Sequence, residues 1–137
     1  MSAKREHIVI GMEHYNPLGL IRSLGENGIH PVYIAIKHKS EVASKSKYVS
    51  RVHPVNDIHE AYDVLVSEYA HSDGEKPFVY TTDDDIQSLL DLNYDELKDD
   101  FIFFNCGEVG RTTEFMDKKK ILEAAESCGL DVLPTIV

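Results

Sequence analysis

The chain has no tryptophan and only two cysteines, Cys106 and Cys128, among 137 residues. Neither cysteine has a nearby cysteine or histidine partner, and the seven histidines form no H-x-x-x-H pair. A zinc site is therefore not expected. Basic residues are scarce: 14 Lys and Arg face 24 Asp and Glu, a net charge of −10. Phosphate-backbone binding needs a basic face, so nucleic acid is excluded as an expected partner. One local cationic site can still hold a small anion. No apolar run approaches the roughly 18 residues of a membrane span. The basic start "MSAKREHIVIG" has too short an apolar stretch for a signal peptide and no cleavage site. The expectation is a cytoplasmic protein whose cysteines stay reduced. Also missing are a G-x-S-x-G elbow, a P-loop, an internal repeat and any low-complexity segment.

What is present is the composition of one globular domain, 42% hydrophobic and 28% charged. Apolar runs alternate with helical spacing. Strands are expected at His7–Met12, Pro31–Ile36, Tyr48–Val55, Pro77–Thr82 and Phe101–Phe104. Helices are expected at Asn16–Ile29, with Asn16 as N-cap, Pro17 at N1 and a stop at Gly28, and at Ile58–Ser72, capped by Asp57. A third covers Asp83–Phe101, and a fourth begins at Asp117 and stops at Gly129. Lys37–Lys47 reads as a loop or short helix, and Asn105–Met116 as a loop passing into a helical turn or two. The terminal "VLPTIV" reads as a strand lacking a partner element. The alternation implies an α/β fold: a Rossmann-like, mainly parallel sheet with helices on both faces, in three layers.

Ligands of open parallel sheets sit beyond the carboxyl ends of the strands. The first loop there is "GMEHYNPLG" (Gly11–Gly19). Its glycines are too far apart for G-x-G-x-x-G, and no acid closes the second strand at Ile36, so a nicotinamide dinucleotide finds little support. Gly11 permits the turn, and Gly19 is expected to let the helix pack close to the sheet. His14 is the histidine that faces this ligand end, although a lone loop histidine is more often simply solvated. The second loop, "TTDDD" (Thr81–Asp85), carries three carboxylates that either hold Mg²⁺ or cap the next helix, capping being preferred. A phosphoacceptor receiver domain is rejected, because only Glu13 follows the first strand and no lysine follows the fifth.

The last helix sets a puzzle. Lys118, Lys119 and Lys120 fill its first turn, where each cation is disfavoured by about 0.3–1 kcal/mol. Either they are a solvated patch, or a helix starting near Glu108 makes them mid-helix, or they form an anion site with the free N–H groups.

"MDKKKILEAAESCGLDVLPT" resembles the D-K…helix…G-[ILV]-x-[VL]-P-x-T signature that opens the nucleotide-binding module of ATP-grasp enzymes. "GLIRSLGENGIHPVYI" is similar to that family's first helix and second strand. "SKYVSRVHPV" and "VYTTDDDIQSLLDLNYDEL" resemble the S-[RK]-Y segment and T-x-D turn of its carbamoyl-phosphate-synthase-like and D-aspartate-ligase-like branch. The resemblance implies a pre-ATP-grasp domain over residues 1–113 and the first helix and strand of a truncated ATP-grasp module over 114–137. It further implies that Lys118 contacts ATP phosphates, and that Gly11, His14, Asn16 and Asp83 line an acceptor-substrate pocket. No catalytic or metal-binding residue is assigned to this chain. The parent would be an ATP- and Mg²⁺-dependent ligase joining a small carboxylate and an amine. The second phosphate lysine, the Gly-rich loop and the metal ligands of the family have no counterpart in the 137 residues. The chain alone is therefore expected to be inactive and to need the remainder of the module, on the same or a separate chain. A stand-alone Rossmann-like nucleotide-binding or sensor module is the alternative. A homodimer through an edge strand or the terminal tail is a further expectation.

Overall fold

The structure, a computed structural model, describes residues 5–71 and 73–134. Five parallel strands form one sheet: β1 (His7–Met12), β2 (Val32–Ile36), β3 (Arg51–Val55), β4 (Phe78–Thr81) and β5 (Ile102–Phe103). Their order is β3-β2-β1-β4-β5. Ile8 lies opposite Val32 on one side and Val79 on the other, so β1 is the central strand. This is the expected Rossmann-like α/β architecture, and every pairing is parallel.

The crossovers explain the layers. From β1 to β3 the chain moves one way across the sheet, and after β3 it reverses. Right-handed connections then place α1 (Tyr15–Glu26) on one face, and α2 (Ile58–Tyr69) and α3 (Asp84–Leu92) on the other. Alternating side chains fill two cores accordingly. Ile8, Ile10, Ile34, Leu65, Ile86 and Leu90 pack on the α2–α3 side. Val9, Tyr33 and Ala35 pack with Ile21 and Ala43 on the α1 side.

Local chemistry sets the helix ends. Asp57 accepts the amides of His59 and Glu60 at the start of α2. Gly28, at φ 78°, closes α1 in a Schellman turn: its own N–H reaches the Gly25 carbonyl and that of Ile29 the Leu24 carbonyl. Gly129 repeats the device after α6 (Lys118–Ser127), through the Glu126 and Ala125 carbonyls.

Four expectations need correction. Helix α1 begins at Tyr15 with His14 at the N-cap, so Asn16 is not its cap and Pro17 is buried at the third helical position, within the first turn. Pro17 is tolerated there because first-turn N–H groups have no intrahelical partner. Residues 83–101 do not form one helix. Asn93 ends α3, its side-chain amide donating to the Leu89 carbonyl, and a single turn, α4 (Tyr94–Leu97), follows. Gly19 does not bring α1 close to the sheet, since a Cβ there would meet nothing within 4 Å. Residues 131–134 are not in a strand, and Thr135–Val137 of the expected terminal strand lie outside the described residues. Among the described residues no helix is long and apolar enough to cross a membrane.

Candidate functional site

Strand order reverses direction at β1 and β4, whose following loops leave for opposite faces of the sheet. A crevice opens between them, the position where ligands of open α/β sheets bind. Its base is built from residues 71 positions apart. The Met12 amide donates to Asp83 Oδ2 at 2.6 Å, and Thr82 N–H donates to the Ile10 carbonyl. A Cβ on Gly11 would fall 1.9 Å from Thr82 Oγ1 and 3.0 Å from Asp83 Oδ2, so the close approach demands glycine. Beneath it, the buried Tyr33 hydroxyl donates to the Gly11 carbonyl at 3.1 Å. Burial pushes the Tyr33 phenol pKa upward, and the nearby charges of Glu13 and Asp83 push it the same way.

Asp83 occupies the N-cap position of α3 but makes no side-chain capping bond. Its carboxylate is turned to the β1 amide instead. The expected capping role therefore passes to Asp84 and Asp85 only in the weaker sense of anions in the first turn, where the helix dipole favours them. A carboxylate on the Met12 amide also places negative charge where a dinucleotide fold would receive a pyrophosphate.

Glu13, beside the crevice, is only 3% exposed. Its Oε2 accepts the Val42 and Ala43 amides at 2.8 and 2.9 Å, and its Oε1 the Ser44 amide at 3.0 Å. The acid thereby pins the 3₁₀ turn Ala43–Lys45 against the β1 loop. A pocket of about 430 Å³ opens next to it, past the ends of β2 and β3. Ala35, Val52 and Val55 are among its apolar lining, with Lys37, His38 and Asn56 among its polar groups.

The structure thus brings Gly11 and Asp83 into contact. His14 is exposed at the start of α1, its ring 6.1 Å from that of His38, and Asn16 is exposed in the first turn. Lys118 stands apart from this group on α6, which leans on α5 (Arg111–Phe115). Asp117 caps α6 through the Lys119 amide at 2.8 Å, so the lysines do open the helix. Lys119 pairs with Glu123 at 3.8 Å and Lys120 with Glu114 at 3.5 Å. Lys118 has no acidic partner within 4.0 Å among the described residues. Sequence reading did not find Glu13, Tyr33, Lys37 or His38. An acid at the very end of the first strand, just past the buried Ile8–Gly11 run and Met12, was the available signal for Glu13.

No protein-family model matches the chain, and no curated protein is detectably similar to it. The ATP-grasp resemblance rests on its short motifs.

Proposed function

We propose that the chain is the substrate-side, pre-ATP-grasp part of an ATP-dependent carboxylate–amine ligase. The carrying observation is a switch-point crevice at Gly11 and Asp83 in the same chain as a helix start whose Lys118 ammonium has no acidic partner among the described residues. Lys118 fits one phosphate contact, since an ammonium at a helix start is favourable when an anion joins it. Lys119 and Lys120 fit less well, because each already faces a glutamate. ATP with Mg²⁺, when bound, supplies the phosphoryl group that activates a carboxylate for attack by an amine. In this reading Asp83 offers the crevice its negative charge for an ammonium. His14 and Asn16, exposed at its mouth, offer donors to a carboxylate. The work of these residues is positioning and charge complementarity. The test is ATP affinity in a protein that carries the complete module. Lys118→Ala is expected to weaken it about tenfold or more, as for loss of one charge-assisted contact, with Lys119→Ala and Lys120→Ala near wild type. A complete module that binds no ATP, or that ignores Lys118→Ala, rejects the reading.

The pocket of about 430 Å³ favours a second reading, because it sets the polar groups of Lys37, His38 and Asn56 beside apolar Ala35, Val52 and Val55, as a small-molecule site requires. A stand-alone nucleotide-binding or sensor module would use it. Nucleotide binding by the 137 residues alone, unchanged by Lys118→Ala and lost on filling the pocket with Ala35→Phe, would select that reading.

A further inference from the structure

Space is left over the outer edge of the sheet. Val52 and Pro54 of the edge strand β3 lie in register with Tyr33 and Ala35 of β2, on the α1 face. Tyr33 is large and fully buried, but Ala35 is small. A hollow therefore remains above Ala35, Val52 and Pro54, and the segment that follows β2 forms its opposite wall. Together they bound the pocket of about 430 Å³. That volume lies toward the lower end of the roughly 300–1,000 Å³ of ligand sites, room for one ring rather than a dinucleotide.

The wall is fixed in advance. Glu13 holds the Val42, Ala43 and Ser44 amides, and Ala43 is buried in the α1-side core. A preformed wall loses little freedom when a ligand arrives. The same bonds decide which groups are left to read that ligand. Three backbone donors are taken by Glu13, the Lys37 N–H donates to the Val55 carbonyl, and the Asn56 side-chain amide donates to Glu60. Lys37 and His38 remain. Both are exposed at the pocket, and neither has an acidic partner within 4.0 Å among the described residues. The acids of the lining are engaged elsewhere, Glu13 by its three amides and Glu41 by Lys45 at 3.6 Å. The ring of His14 stands 6.1 Å from that of His38, a second imidazole beside the first. Residues 37–47 carry four lysines against one glutamate, a local charge of +3 in a chain of −10. A concentration of one sign around a cleft favours a ligand of the other.

We propose that this pocket binds a small organic anion, one carboxylate or phosphate group on an apolar body about the size of a single ring. Lys37 and His38 meet the anionic head at the mouth, and the body rests on Ala35, Val52 and Pro54. The proposal rests on the second reading's use of the same pocket, and adds the charge and size of its ligand. Lys37 thereby has a role that Lys118, on the separate helix α6, does not share.

The test is an amide NMR titration of the whole chain with three single-ring probes, phenyl phosphate, benzoate and benzylamine. At least one of the two anions is expected to shift the amides of residues 35–44 and 52–56 saturably, and the tighter of them identifies the head as phosphate or carboxylate. Benzylamine, of similar size and opposite charge, is expected to leave those amides in place. Lys37→Gln is expected to raise the dissociation constant for the anion about tenfold, Lys37→Arg to keep most of the affinity, and Lys118→Gln to change nothing. Lys37 is exposed, so its variants keep the fold. No saturable shift with either anion, equal shifts with benzylamine, or indifference to Lys37→Gln would each overturn the proposal. A parallel titration with AMP separates it from the nucleotide reading. AMP binding that is lost with Ala35→Phe but insensitive to Lys37→Gln keeps that reading and rejects this one. Binding of phenyl phosphate or benzoate without AMP rejects the nucleotide and keeps the anion.

Discussion

The ring of Tyr48 lies directly over the bare Cα of Gly25. A methyl added there would come within 2.1 Å of Tyr48 Cγ and 2.4 Å of its Cβ. Gly25 is buried in the last turn of α1, and Tyr48 packs on the α1-side core. Gly25→Ala must displace ring atoms near the backbone rather than a flexible tip. It should cost about 1–3 kcal/mol, as overpacking does. Gly19 lies in the same helix with nothing near its Cα. Gly19→Ala should instead stabilise by about 0.5–1 kcal/mol through helix propensity. Urea unfolding of the two variants is therefore expected to move the midpoint in opposite directions. Equal shifts would contradict the packing.

Gly11 is constrained within the sheet, on the same face. The strained neighbour of an added Cβ is Thr82 Oγ1, with Thr82 Cβ at 3.2 Å behind it. Gly11→Ala should destabilise by about 1–3 kcal/mol. Thr82→Ala removes the nearest atom, so the double variant should be less damaged than the sum of the singles. A coupling of at least about 0.5 kcal/mol is expected. Additive losses in a double-mutant cycle would show that the crevice base is looser than its geometry.

Much of this fold was legible because its signals are local. Asp57 before an apolar stripe announced α2, and Gly28 and Gly129 announced two Schellman stops. The parallel sheet with helices on both faces followed from the alternation of strands and helices, whereas the order of its strands came only with the structure. What was not legible depends on distant partners. Nothing near Gly19 or Gly25 reveals which one meets an aromatic ring, because Tyr48 lies 23 residues beyond Gly25. Asp83 looks like a cap from its neighbours, yet the Met12 amide claims it. The apolar spacing around Leu90, Tyr94 and Leu97 runs on through Asn93, which hides the break between α3 and α4. At the candidate site, the loops were found from topology, whereas the buried Glu13 staple required knowing what folds onto it.

That staple makes a sharp prediction. Glu13 satisfies three consecutive amides of the Val42–Ser44 segment. Glu13→Ala leaves them without an acceptor and should cost about 2–4 kcal/mol, given charge-assisted bonds and partial solvation of the freed groups. Glu13→Gln preserves shape but puts a donor where an acceptor is needed, so it should recover only part of the loss. Hydrogen exchange provides the local readout. Protection of the Val42, Ala43 and Ser44 amides should fall in both variants, while the β1–β4 amides keep theirs. Unchanged protection of the turn would show that another group holds it.

Tyr33 supplies a test in pH. Its phenol is pushed above the ordinary 10.0 by burial, then by the charges of Glu13 and Asp83. A raised pKa means that the folded state holds the proton more tightly than the unfolded chain. The corresponding stability is fully present below about pH 10, where both states are protonated. It declines as pH rises past that point, because the unfolded chain ionises first while the folded chain resists. Tyr33→Phe removes the titrating group and also its bond to the Gly11 carbonyl. At neutral pH the variant should be less stable by about 0.5–1.5 kcal/mol. Above about pH 10 the wild type should lose stability faster, so the gap should narrow. Tyr62, Tyr69 and Tyr80 also have raised pKa values and steepen the alkaline limb of both proteins, so the comparison must be of differences. Thermal unfolding of the pair at neutral pH and above pH 10 measures it. A gap that stays constant or widens with pH would mean that the Tyr33 hydroxyl reaches solvent.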